Sequence, residues 1–243
     1  MTRRPLYSDF ARYYDLLFGG ADQACLDFVQ QVVPPPAALL DAGCGTGQYA
    51  EALTARGYRV VAADREGELM GACVTPSSRV SFILADIRHL PLAGPVDVIL
   101  ARGVLNDLVA LGDLARALRC MASALSDSGR FIADVRERQA HVERVAQHWV
   151  VELTAGGVTF RARRRMEEGG VIVSLEQFAR DGKWSEPFEF RMRTFTEGEV
   201  RSLWPDSGLE VVSIQPSYGA GSRLTHRLVV VAGKAHAPPL SHS

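Results

Sequence analysis

The sequence predicts an α/β fold: a doubly wound, mainly parallel, seven-stranded sheet with an antiparallel β excursion after strand five. Three observations carry this expectation. Apolar β-rich runs alternate with helical periodicity up to about residue 136. A glycine turn, Gly43-Cys44-Gly45-Thr46-Gly47, stands between the apolar run 39–42 and a helix-forming stretch that starts at Gln48. Between residues 148 and 194, Gly-Gly and Asp-Gly turns separate β-rich segments that lack a helical period.

The elements follow in order. Tyr7, Phe10, Tyr14 and Leu17 recur at helical spacing, so residues 6–18 predict one amphipathic helix, stopped by Gly19-Gly20. A second helix, 23–33, ends at Pro34-Pro35-Pro36. The parallel core is then strand 37–42, helix 47–56, strand 58–64, a short helix near 66–73, strand 79–84, strand 96–101, helix 111–125 and strand 130–135. Ser126-Asp127-Ser128-Gly129 reads as the turn before that last strand. Strands are expected over 149–153, 158–166, 171–178 and 188–195. Helix 197–204 and strands 209–214 and 226–232 complete the sheet.

Composition narrows the function. At 243 residues the chain suits one enlarged domain with a real core. The net charge of −1 gives no global field for nucleic acid or an anionic membrane, and no apolar run is long enough to span a bilayer. No signal-peptide pattern opens the chain, and Cys25, Cys44, Cys73 and Cys120 are scattered, so reduced thiols in a cytoplasmic protein are expected. No cluster has metal-ligand spacing, so no metal is expected. Arg161, Arg163 and Arg165 share one strand face, read as a solvated face balanced by Glu167, Glu168 and Glu176 in preference to an RNA surface.

The glycine turn favours a particular ligand. Its third glycine, Gly47, comes one residue earlier than in a dinucleotide fingerprint, and Asp41 stands two residues before Gly43. A carboxylate there repels a pyrophosphate and suits a cationic ligand with an amino acid end. Asp64 ends the next strand about 20 residues on, where a carboxylate can accept both hydroxyls of a ribose. Ala85-Asp86-Ile87 ends the third strand.

With these motifs the chain resembles the class I S-adenosylmethionine (SAM)-dependent methyltransferases, whose first motif is Asp-x-Gly-x-Gly-x-Gly on a Rossmann-like sheet. The motif agreement covers residues 37–136. The resemblance implies SAM as cofactor and S-adenosylhomocysteine as product, with Asp41, Gly43, Gly45, Gly47, Asp64, Arg65, Asp86, Ile87 and Ala101 at the cofactor site. Asp86 would accept from the adenine amino group and the Ile87 backbone would meet the ring. In Tyr13-Tyr14-Asp15, Tyr14 fits the phenol that meets the methionine carboxylate, with Tyr13 the neighbouring register. A β excursion after strand five resembles the small-molecule N- and O-methyltransferases, including enzymes of natural-product biosynthesis, where it covers the acceptor pocket. The implied divisions are a helical lid 1–36, a SAM-binding core 37–145, a β insert 146–195, the end of the core 196–234 and a disordered tail 235–243.

Acceptor chemistry is less determined. Strand tips carry ligands in open α/β sheets, which nominates Arg102, Asn106, Asp107, Arg136 and His141. Asn106 and Asp107 are favoured to touch the acceptor, and His141 is the candidate base. The expected function is methyl transfer to N or O of a small molecule, with no nucleic acid or membrane partner. The alternatives are a non-methylating reaction such as a cyclisation, a non-catalytic SAM-binding protein, and an RNA or protein methyltransferase using the arginine strip. Acceptor identity and a monomeric or dimeric state stay open.

Overall fold

The structure, a computed structural model, describes residues 4–72, 79–147 and 150–235. Cys73, the start of the strand expected at 149 and most of the tail at 235–243 lie outside the described residues.

The N-terminal segment leads through α1 (Tyr14–Phe18) and α2 (Gln23–Val32) into β1 (Ala38–Ala42), α3 (Gln48–Ala55), β2 (Arg59–Asp64), α4 (Gly67–Gly71), β3 (Ser81–Leu84), β4 (Val96–Arg102), α5 (Leu111–Ala124) and β5 (Leu125–Arg136). Next come α6 (Arg138–Gln147), β6 (Val150–Ala155), β7 (Val158–Glu167), β8 (Val171–Arg180), β9 (Lys183–Trp184) and β10 (Phe188–Arg193). The chain ends with α7 (Glu197–Leu203), β11 (Leu209–Gln215) and β12 (Arg227–Lys234). The main sheet has seven strands in the order β11-β12-β5-β4-β1-β2-β3. Pairings from β3 through β5 are parallel, and β12 and β11 close that edge antiparallel. The excursion is a separate antiparallel sheet, β10-β8-β7-β6, with β9 on β8.

Apolar side chains of the central strands alternate between two buried layers. Leu40, Ile99 and Phe131 pack with α5 and α7 residues such as Leu118 and Val200 on one face. Leu39, Val98 and Ile132 pack with Leu53 of α3 and Val29 of α2 on the other. A third cluster joins Leu6 and Leu17 to Phe160 and Phe178 of the second sheet.

Three local expectations are corrected. Residues 6–18 are not one helix: 3-10 turns at Pro5–Tyr7 and Ala11–Tyr13 precede α1. The break at Ser8 (φ −123°, ψ −91°) lets Phe10 stack on Phe178 at 4.0 Å, a tertiary contact that outweighs local periodicity. The expected turn at 126–129 lies within β5 as an irregularity: Val96 pairs with Leu125 and Val98 with Arg130. Helix α6 was not expected; its buried stripe, His141 and Val145, contains only one apolar residue.

Candidate active site

The glycine turn is built by backbone hydrogen bonds to the tip of β2. The N–H groups of Gly43 and Cys44 donate to the Ala63 carbonyl at 2.8 and 3.0 Å, and Gly45 N–H donates to Asp64 Oδ2 at 2.8 Å. Gly43 has φ +75°, and a Cβ there would stand 2.5 Å from Val104 Cγ2, so both conformation and space require glycine. Gly47, also in the left-handed region, caps α3.

Asp64, 9% exposed, also accepts the Glu66 N–H through Oδ1 at 2.9 Å. Asp86 accepts from Arg88 Nε at 2.9 Å and Nη2 at 2.6 Å, and those bonds hold its carboxyl below the usual carboxylate range. Asp41 is buried beneath the turn, and its Oδ2 lacks a hydrogen-bond partner. Burial pushes its pKa up to about 7; Arg102 opposes that shift and Asp64 adds to it.

A single cavity of about 340 Å³ runs along these strand tips. One end is lined by Tyr14, Gly43, Gly45, Asp64, Arg65, Asp86 and Ile87, and Arg102 lies over the Tyr49 ring at 4.5 Å. Its other lining residues include Arg4, Tyr7, Asp107, Arg136, Phe160, Arg164 and Met192. Here Tyr7 donates to Asp107 Oδ2 at 3.1 Å, and burial raises the Asp107 pKa against the pull of Arg4 and that bond.

Several expected site residues do not line this cavity. Asp41, Gly47 and Ala101 lie outside its lining, with Asp41 and Ala101 buried behind it. Asn106 is corrected from acceptor ligand to support: Nδ2 donates to the Arg193 carbonyl at 2.7 Å and Oδ1 accepts from Arg227 Nη1 at 3.1 Å. His141 is corrected likewise. It is 3% exposed, with Nδ1 at 2.9 Å from the Glu137 carbonyl and Nε2 at 3.0 Å from Arg136 Nη1. A carbonyl only accepts and a guanidinium only donates, so Nδ1 carries the proton and the Nε2 lone pair is occupied. Burial and then Arg136 push the His141 pKa down to about 3.

The arginine strip is solvated as expected. Arg161 pairs with Glu152 at 2.7 Å and Arg165 with Glu167 at 3.0 Å. Glu176 is corrected: it is fully buried and bound by two nitrogens of Arg4, at 2.8 and 2.5 Å. Arg164, which the sequence does not single out from this strip, lines the cavity. Strand parity was the available signal, since it places Arg164 on the face of Phe160 and Ala162, opposite its charged neighbours.

Comparison with known proteins agrees with this geometry. Residues 40–133 match the family model of a methyltransferase domain. A malonyl-[acyl-carrier protein] O-methyltransferase of Hamiltonella defensa is 39% identical over 54 residues, a match that spans 22% of this chain and only 21% of that one. A SAM-dependent methyltransferase of Clostridium acetobutylicum has the same fold, with TM-score 0.75 and 19% identity over 94% of this chain and 98% of that one. The sugar N-methyltransferase KedS8 of a Streptoalloteichus species superposes with TM-score 0.69 at 16% identity, over 87% of this chain and 85% of that one. Residues 40–133 thus resemble a methyltransferase domain, and the fold is shared with solved SAM-dependent methyltransferases. The cofactor of that class is SAM, and the residues present fit it: a Cβ-free turn, a carboxylate at the tip of β2 and an apolar wall at Ile87.

Proposed function

We propose that the whole protein is a methyltransferase that transfers the methyl group of SAM to N or O of a small polar molecule. The observation that carries this reading is the continuous cavity, whose glycine-turn end suits SAM and whose far end reaches the second sheet and the N-terminal segment. When bound, SAM supplies an electrophilic methyl on a sulfonium, whose S–C bond breaks as the bond to the acceptor N or O forms. Asp64 accepts from the ribose, and Asp86 and Ile87 hold the adenine. Tyr14 and Arg102 take the methionine end, with Asp41 buried behind them. Asp107, made more basic by burial, touches the acceptor and takes its proton. The segment 1–36 acts as a lid and 146–195 as the acceptor-side wall, which shut out water and orient the nucleophile. The enclosed acceptor end favours a small molecule over a macromolecule.

Incubation with SAM and a pool of low-molecular-mass metabolites, read by mass spectrometry, should yield a product heavier by one methylene together with S-adenosylhomocysteine. Turnover of SAM to a product without the added methylene would favour a non-methylating reaction on the same fold.

A further inference from the structure

Two buried arginines in the cavity lack an ion-pair partner among the described residues, with Glu176 and Asp107 acting on them only through space. Arg136 ends β5 and Arg164 lies within β7, and both line the cavity. The Nε of each is buried without a hydrogen-bond partner. Among the described residues neither forms an ion pair; the one side-chain hydrogen bond of Arg136 is to the neutral imidazole of His141. The nearby carboxylates are engaged elsewhere. Glu176 is held by Arg4, and Asp134 by Tyr218 at 2.8 Å and Arg227 at 3.0 Å. Asp107 accepts from Tyr7. Burial, then Arg227 and Arg164, pushes the Arg136 guanidinium well below its usual range, with Asp107 opposing the shift.

The geometry points to an anion subsite: Arg136 and Arg164 bind a carboxylate or phosphate group of the methyl acceptor. An oxyanion in the cavity would meet the guanidinium groups of the two arginines that line it and neutralise their mutual repulsion. Guanidinium suits this task because its planar fork matches carboxylate and phosphate oxygens. The subsite is distinct from the cofactor end, where Arg102 has Asp134 as its leading charge partner and lies over the Tyr49 ring. The assignment rests on the acceptor occupying this end of the cavity, and its test needs no turnover.

The full chain saturated with S-adenosylhomocysteine is titrated calorimetrically with succinate and, separately, with inorganic phosphate, at constant ionic strength against chloride. Saturable binding of one of the two is expected, and which one identifies the group. Arg164→Gln should weaken it at least tenfold while S-adenosylhomocysteine affinity stays within threefold. Arg136→Lys serves as the second variant, because it keeps the charge beside His141, and should weaken binding by a smaller factor. Binding no tighter than that of chloride overturns the subsite, as does an unchanged affinity in Arg164→Gln. A parallel loss of S-adenosylhomocysteine affinity also overturns it, since the arginines would then serve the cofactor. Saturable, Arg164-dependent anion binding in a protein that methylates nothing supports the subsite and refutes the methyltransferase reading alone.

Discussion

Asp64 Oδ2 accepts the Gly45 backbone N–H at 2.8 Å, so a side chain at the tip of β2 holds the glycine turn that follows β1. The same carboxylate faces the cavity. Asp64→Ala therefore removes a turn anchor and the ribose acceptor together. SAM affinity should fall roughly ten- to a hundredfold, the loss of about 1.5–3 kcal/mol typical of hydrogen bonds to a charged group. Calorimetry that finds SAM affinity unchanged in a folded variant would remove Asp64 from the cofactor site.

Gly43 is constrained by Val104 as well as by its own backbone. Gly43→Ala should lower stability by about 1–3 kcal/mol through a strained φ and the clash. Adding Val104→Gly should restore part of the loss, because it removes the Val104 Cβ at 2.6 Å as well as Cγ2. Urea midpoints for the single and double variants check this. Strictly additive losses would mean that the clash is relieved some other way.

Asp41 makes stability fall with rising pH. Unfolded, it ionises at about 3.9; folded, at about 7. Between those values the folded state binds the extra proton, so stability is lost as pH rises, by at most about 4 kcal/mol. Asp41→Asn lacks this loss, and its stability relative to the wild type should improve from pH 4 to pH 7. Thermal midpoints of both proteins across that range test it; a constant difference would show that Asp41 is ionised throughout.

His141 acts with the opposite sign. Its pKa is lowered from about 6.5 in the unfolded chain to about 3 in the fold. The stability from the neutral buried ring is fully present above about pH 6.5 and is lost as pH falls toward 3. His141→Gln should thus be most destabilising above pH 6.5, with the deficit shrinking on acidification. Chemical denaturation at pH 7.5 and pH 5 measures it. An equal deficit at both values would mean that the imidazole titrates in the fold as it does in the unfolded chain.

Ties between the proposed lid and the rest of the fold include the Phe10 ring stacked on Phe178 and Thr46 Oγ1 donating to Asp15 Oδ1 at 2.8 Å. Bound S-adenosylhomocysteine should slow proteolysis within residues 4–20. Phe10→Ala should speed it in the free protein by loosening the aromatic contact. Cleavage at one rate with and without ligand would indicate a permanently docked segment.

The sequence by itself determined the order of the main-sheet strands and of the helices between them, the seven-stranded sheet, and the turn at Gly43 to Gly47 with Asp64 opposite it. These are local matters. A strand buried on both faces needs an apolar run, and a turn with positive φ needs glycine, so each leaves its mark where it acts. Only the tertiary structure decided the far end of the cavity. Arg4 reaches Glu176 across 172 positions of chain, and Asn106 is held by Arg193 and Arg227 from distant strands. His141 is neutral because of what buries it, and residues 6–18 bend because the Phe178 ring lies in another sheet. A charge or an aromatic ring has the same identity in the sequence whether it faces water, a partner or a ligand. Its role is set by neighbours that folding brings from far along the chain, and local spacing carries no record of them.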